Sequence, residues 1–337
     1  MKAIIKGEFF RLFKSKSYFI LFGIVAIIMI CIVCDYNNQF YYQNGYNGYG
    51  IVRYDIDELP QLISEYEQAL SEDERRLEGN LTTIERENLI NQIDGIQTQL
   101  NVYRYLYEHD IPYNEYRDFA GMRNYYGDNA ISAFTTFCER LTSVLPFCLS
   151  IFAIWMIAWD YFRGTYKFLY STQTPRIKIM AGRYLTWLII SATCVLLVCT
   201  VAMCLGFLFG GAGGIVIFAN ASGAFGLNTF GIFCFEFVDI LFRTLIIGSI
   251  CFGFSLLVRN ILIPVLPSAV MFIGSFFAYA SSEISTFLSV LLGGFQFAFI
   301  MGGMQTLYIL YAILMGVTFA LACLLCGTAR FLKQDLK

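Results

Sequence analysis

Histidine is almost missing from this chain: among 337 residues only His109 is one. Charged residues make up 14%, where a water-soluble domain carries about a quarter. No Gly-Lys dipeptide occurs anywhere, and no cysteine lies between Asp35 and Phe137. Each gap removes a class of function. One histidine is too few for a metal-dependent or intramembrane hydrolase, which clusters His, Asp or Glu at span depth. Without Gly-x-x-x-x-Gly-Lys-Ser/Thr the chain has no loop to cradle nucleotide phosphates. So little charge excludes an ordinary cytosolic enzyme, a nucleic-acid binder and a disordered chain. The net charge of −2 attracts no polyanion, so no nucleic-acid partner is expected. The polar stretch free of cysteine has no internal disulfide.

The eleven cysteines sit mostly in apolar runs: Cys31, Cys34, Cys148, Cys194, Cys199, Cys204, Cys251, Cys323 and Cys326. There they act as small hydrophobes. Cys323-x-x-Cys326 has a metal-like spacing but lacks a second pair or a nearby histidine, so no metal is expected.

What the chain has in abundance is apolar surface. Hydrophobic residues are 57%, with 33 Phe and 22 Tyr, and mean hydropathy is +0.60. Six segments are long and apolar enough to cross about 30 Å of hydrocarbon: Tyr18–Cys34, Leu141–Trp159, Tyr184–Phe209, Phe237–Val258, Ile261–Ala280 and Leu307–Cys326. The first has too long an apolar core, and no small-residue cleavage site after it, to be a signal peptide. All eight lysines (Lys2, Lys6, Lys14, Lys16, Lys167, Lys178, Lys333 and Lys337) fall in the amino-terminal segment, the span 2–3 loop or the tail. Six crossings put those on one side, and positive residues stay inside. Both termini are therefore expected in the cytoplasm of a plasma-membrane protein. The stretch from Tyr36 to Arg140 has no lysine, eight arginines and 18 acidic residues, a net of −10, and is expected outside.

The fold expected is an all-α polytopic membrane protein of six transmembrane helices, with an extracytoplasmic helical hairpin between spans 1 and 2. Its parts are a cytoplasmic amphipathic lead-in helix (1–16), span 1 (17–35), the outer region (36–140), span 2 (141–159), a cytoplasmic loop (160–183), and spans 3–6 with the tail (184–337). Within the outer region, Asp35–Gly50 is a Tyr/Asn/Gly linker. Leu59, Leu62, Ile63, Tyr66 and Leu70 then recur at helical spacing. Gly79-Asn80 marks a turn. Leu81, Ile84, Leu89, Ile93, Ile96, Leu100, Tyr103 and Tyr107 make a second stripe, near heptad spacing from Ile93. The hairpin spans 57–108, and Pro112 ends it. The two stripes either bury each other or present a surface to a partner or substrate. His109 is expected as a surface residue near a helix end.

The run DYFRGTYKFLYSTQTPRIKIMAGRYL, from Asp160, mixes rings with Arg163 and Lys167. It suits a short helix at the inner surface, rings in the interface and cations toward phosphates. It resembles the signature loop of type 2 ABC transporter permeases, the six-span exporter class. Asp160 stands four before Gly164-Thr165, Arg176 twelve after Gly164, and Gly182-Arg183 six further on. The acid is Asp where the family more often has Glu, and Pro175 directly precedes the Arg. Glu8, Arg11, Lys14 and Lys16 resemble the family's amphipathic helix before span 1. The resemblance implies an ATPase-coupling loop made by Asp160, Arg163, Gly164, Thr165, Lys167, Pro175, Arg176, Gly182 and Arg183. It implies two copies of an ABC ATPase subunit that bind ATP and Mg, and a second permease chain in a homodimer or related heterodimer. This chain would bind no cofactor and catalyse nothing. By the same resemblance, 281–304 dips back into the outer leaflet.

Glu236, Asp239 and Arg243 share one helical face at the outer start of span 4, where Asp239 and Arg243 can pair. They line an outer pathway or subunit seam, or form a plain interfacial ion pair. The function expected is the membrane subunit of an ATP-driven exporter of an amphipathic or hydrophobic cargo: an antimicrobial peptide, a drug or a lipid-like molecule. The alternatives are an extracytoplasmic peptide sensor or immunity protein without transport, and an ion extruder or channel.

Overall fold

A computed structural model describes residues 2–15, 56–79, 82–111, 116–118, 130–162, 175–210, 215–220, 223–258, 263–266 and 305–333, with single residues at 19, 23, 26, 30 and 269. In chain order the elements are α1 (Lys2–Ser15), α2 (Leu59–Leu77), α3 (Thr83–Glu108), β1 (Tyr116–Asp118), α4 (Ala130–Phe162), α5 (Arg176–Gly210), β2 (Ile215–Asn220), β3 (Gly223–Asn228), α6 (Thr229–Leu257) and α7 (Gln305–Lys333). The fold is predominantly helical. Three helical stretches among the described residues are long and apolar enough to cross a bilayer: Arg176–Leu208, Thr229–Leu257 and Gly316–Lys333; Val144–Ala158 in α4 is a shorter apolar stretch. The expected spans 1 and 5, and the segment 281–304, fall almost wholly outside the described residues.

The bundle is organised around α6, which packs on α4, α5 and α7. Every residue from Ile246 to Gly253 is buried. A stretch of helix with no charged residue on any side belongs inside, and this part of α6 packs among α4, α5 and α7. Glycine lets those neighbours approach. A Cβ on Gly253 would lie 2.6 Å from the Cys323 carbonyl carbon and oxygen, and one on Gly327 would lie 2.5 Å from the Gly253 carbonyl oxygen. On another side of α6, Gly248 makes room for the Trp187 ring. Trp187 Nε1 donates to the Leu149 carbonyl (3.0 Å), fastening α5 to α4, and Tyr184 Oη and Ser249 Oγ share a 2.7 Å hydrogen bond between α5 and α6. Several helix hydroxyls are satisfied within their own helix. Thr186, Thr193, Thr200, Thr244 and Ser255 each donate to the carbonyl four residues back, at 2.7–2.8 Å. In hydrocarbon no water offers an alternative partner.

Helices α2 and α3 lie antiparallel. Tyr66 meets Tyr103 edge-on with ring centroids 5.2 Å apart, Arg104 reaches Glu67 at 2.7 Å, and Gln92 donates to Asp73 at 2.8 Å near the connecting turn. Between them Leu59, Val102, Tyr103 and Leu106 are buried together with Ile111 and Ile217. Local signals set the ends of α3. Thr82 caps its start, its hydroxyl accepting from Glu85 N–H while the Glu85 carboxylate accepts from the Thr82 backbone N–H at 2.9 Å, a reciprocal capping box. Glu85 is held below the usual carboxylate range by the hydrogen bonds from the Thr82 hydroxyl and backbone N–H. At the far end Asp110 takes the left-handed conformation (φ 53°), and Ile111 N–H reaches back to the Leu106 carbonyl at 3.0 Å. The buried Leu106–Ile111 contact completes a Schellman stop. The helix thus ends before Pro112, the residue expected to end it. His109 is exposed at this C-terminus, stacked on Tyr105 with centroids 4.0 Å apart.

A three-stranded sheet, order β1-β2-β3, is an addition to the helical layout foreseen. β1 runs parallel to β2, with Tyr116 opposite Ile215, and β2 antiparallel to β3, with Ile215 opposite Asn228. Parallel neighbours need a long crossover, and here it is α4 and α5. The segment before α4 and the segment after α5 therefore meet at one end of the bundle. Helix α3 packs on β2 and β3. A Cβ at Gly226 would lie 2.6 Å from Tyr105 Oη, so Gly226 seats the α3 tyrosine on the sheet. Asn228 ends β3 and caps α6, accepting from Gly231 N–H at 2.9 Å.

Candidate coupling site and buried charge

Two clusters of charge are buried in the bundle. The first lies where α1 crosses the start of α5. Residues four apart lie one above the other on a helix, so Ile4, Glu8 and Leu12 share a face. Glu8 and Leu12 are buried on that face, whereas Phe10, Phe13 and Lys14 are exposed. Gly182 receives Ile4: a Cβ there would stand 2.5 Å from Ile4 Cγ2. The next residue, Arg183, is fully buried, and its Nε donates to Glu8 Oε1 at 3.1 Å. The other carboxylate oxygen, Glu8 Oε2, lies 2.7 Å from Arg11 Nη2. Arg11 Nη2 also donates to the Met156 carbonyl on α4 at 3.4 Å. One carboxylate between two guanidinium groups therefore joins α1, α4 and α5.

Of the other residues expected in the loop, Asp160 lies in the last turn of α4, and Pro175 and Arg176 stand at the start of α5. Arg163, Gly164, Thr165 and Lys167 lie outside the described residues, as does Lys16. The α5 helix begins at Arg176 rather than at Tyr184, so Gly182 and Arg183 ride on the helix itself.

The second cluster is on α6. Glu236 and Asp239 are fully buried, and Arg243 Nε and Nη2 both lie 3.0 Å from Asp239 Oδ2. The pairing foreseen at four-residue spacing is present. The helix that carries the cluster starts at Thr229, eight residues before Phe237, where the span was expected to begin. Asp239 stands ten residues in, about 15 Å along the axis, so the charges lie within the helix and not at its edge. The Asn228 cap was the signal for the earlier start. Among the described residues no group of His, Cys, Asp and Glu is arranged to hold a metal ion.

Sequence reasoning had Glu8 and Arg183 as separate features of two segments. Their union across 175 residues, and the roles of Ile4 and the Met156 carbonyl, were not foreseen. The faint signal was Gly182, a glycine at the opening of an otherwise uninterrupted apolar helix.

The family described as "ABC-2 family transporter protein" matches residues 2–280, which takes in both clusters, the helix pair and the sheet. The chain belongs to this family of ABC-2 type transporter permeases. It is a membrane-embedded transport subunit. No curated protein and no solved structure matches it.

Proposed function

We propose that this chain is the permease half of an ATP-driven exporter, worked from the cytoplasm through the loop between α4 and α5. The supporting observation is the buried Glu8–Arg183 pair, with Arg11 on the Met156 carbonyl: it ties the two helices flanking that loop to the amphipathic helix α1. A push on the loop then moves α4 and α5 together. In this reading the chain crosses the plasma membrane six times with both termini inside. The α2–α3 hairpin and the sheet stand outside, and two permease chains bind two ATPase subunits that hold ATP and Mg. The exposed face of α1, with Phe10, Phe13 and Lys14, suits the inner headgroup layer, where rings enter lipid and amines meet phosphate. Outward movement fits an amphipathic or hydrophobic cargo such as an antimicrobial peptide, since the bundle is lined mainly by apolar side chains. Glu236, Asp239 and Arg243 then stand on the outer part of the path or at the seam between chains.

The experiment is purification of the tagged full chain from its native membrane, with ATP hydrolysis assayed in the eluate. The wild type is expected to carry a hydrolysing ATPase, and a variant with Gly164, Thr165 and Arg176 replaced is expected to lose it. Equal recovery of hydrolysis with both chains would overturn the docking role of the loop.

A further inference from the structure

The two ends of the cytoplasmic loop are bridged at its base by α1. Met156 lies about two turns before the end of α4, and Arg183 about two turns past the start of α5. Glu8 and Arg11 reach both. We propose that Glu8 is a positioning residue that makes α1, the end of α4 and the start of α5 one rigid body, and that Gly182-Arg183 is the receptor for α1 and not a surface for the ATPase. This rests on the permease reading only for its consequence in coupling; the receptor itself is a property of this chain.

Three observations carry it. Arg183 is fully buried, so a protein docking from below has no access to its guanidinium. Gly182 is covered by the Ile4 side chain, leaving no room for another side chain. Glu8 Oε1 accepts from the buried Arg183, and Oε2 lies 2.7 Å from the part-exposed Arg11 guanidinium, so removing the carboxylate takes its counter-charge from a buried cation and leaves a second cation beside it. A latch that opened in every cycle would have to strip Arg183 of its carboxylate inside the protein, a change that is strongly unfavourable. A clamp that stays shut avoids that cost and passes a displacement of the loop undiminished into α5.

The test has one arm that needs no ATPase. A Cβ at Gly182 would stand 3.3 Å from Ile4 Cβ, close to the Cβ separation of about 3.5–4.5 Å that a disulfide needs. The full chain carrying Ile4→Cys and Gly182→Cys, with a protease site placed in the 36–50 segment, is oxidised in native membranes and cut. The two fragments are expected to stay joined until a reductant is added. Separate fragments from a chain that elutes as the wild type does would overturn the receptor. In the second arm, ATP hydrolysis by the co-purified complex is expected to stay within about twofold of its reduced value once the bond is formed. A fall of roughly tenfold or more that reverses on reduction, well inside the range of coupling between sites, would show that α1 must part from α5 and would overturn the rigid body. Charge reversal supplies a control for misfolding. Glu8→Arg and Arg183→Glu are each expected to lower the thermal aggregation midpoint and the hydrolysis rate, and the double variant to recover both. No recovery of either, in a double variant that elutes as the wild type does, counts against the pair. A wild type that brings down no ATPase would sink the permease reading while leaving the disulfide result standing.

Discussion

Helices α3 and α5 follow opposite rules. α3 hides Leu89, Ile93, Leu100 and Leu106, and shows Glu85, Glu87 and Asp94. α5 hides Arg183 and Thr186 beside Trp187, each with a hydrogen-bond partner, and shows Ile189, Leu196, Leu197 and Val201. The inversion identifies the medium around each. Water solvates carboxylates at no cost and rewards burial of the leucines. Hydrocarbon accepts the leucines and demands that each polar group find a partner in the protein. The same contrast separates two ion pairs. Glu67–Arg104 is the shorter, at 2.7 Å, with both side chains about half exposed. Glu8–Arg183 is longer, at 3.1 Å, with the arginine fully buried. The shorter bridge is the cheaper one to break: an exposed pair contributes little at any distance, whereas removing one partner of the longer one strands a charge inside the protein.

The largest effect expected from breaking this contrast is in the helix pair. Leu106 is fully buried among Leu59, Val102 and Ile217. Leu106→Ala should cost about 2–5 kcal/mol, read as faster amide exchange across α2, α3 and β2 with α5–α6 unaffected. Uniform protection in the variant would mean that the helix pair draws its stability from elsewhere. Next in size is a matched pair of lysines. Leu197 is 49% exposed and Ile84 is 72% exposed, so by exposure alone Ile84 should be the more tolerant by a little. By medium, Leu197→Lys should cost about 2.5–3.5 kcal/mol of insertion, whereas Ile84→Lys should stay within about 0.5 kcal/mol. Equal yields of membrane-inserted protein from the two would erase the distinction between the helices.

How much of this was legible in the residues depended on range. The helix pair was readable because its signals are local: leucine spacing and the turn at Gly79. The capping box was also available as Thr82-x-x-Glu85, and the true stop of α3 was set by Asp110 and Ile111 rather than by Pro112. The strands were not read, since IVIFAN and GAFGLN look like continuations of the apolar runs on either side. Hydropathy does not separate a short strand from the end of a span. Two glycine pairs, Gly210-Gly211 and Gly213-Gly214, were the visible break between α5 and β2. The charge on α6 was readable as a face at offsets of three, four and seven, but its distance from the helix start was not, because the helix begins at Thr229, eight residues before the apolar stretch. The α1–α5 clamp was least legible of all, since no periodicity connects residue 8 to residue 183.

A smaller effect sharpens the picture of α3 as a helix in water. Thr82→Ala should cost about 1 kcal/mol through the lost cap, measured by exchange in the first turn of α3. Acid should act on the same box. Because the folded Glu85 carboxyl is held below its ordinary value of 4.5, its contribution is complete above that value and is lost as pH falls through the depressed folded pKa. First-turn protection, measured relative to the intrinsic exchange rate at each pH, should therefore fall in that acid window in the wild type, while Glu85→Gln flattens the dependence. A first turn indifferent to both changes would leave the cap without a role.

The smallest expected effect belongs to Glu67–Arg104. Both side chains are about half exposed, so solvent screens the pair and each loses rotamer freedom to make it. A double-mutant cycle with Glu67→Gln and Arg104→Gln should give an interaction of about 0.2–1 kcal/mol, shrinking further as salt is raised, since exposed charges are screened over about 10 Å at 0.1 M. The equivalent salt titration on the Glu8–Arg183 pair should show almost no change, because water and ions do not reach a fully buried guanidinium. The difference in salt response, more than either magnitude, separates a bridge standing in solvent from one that holds a membrane bundle to its lead-in helix.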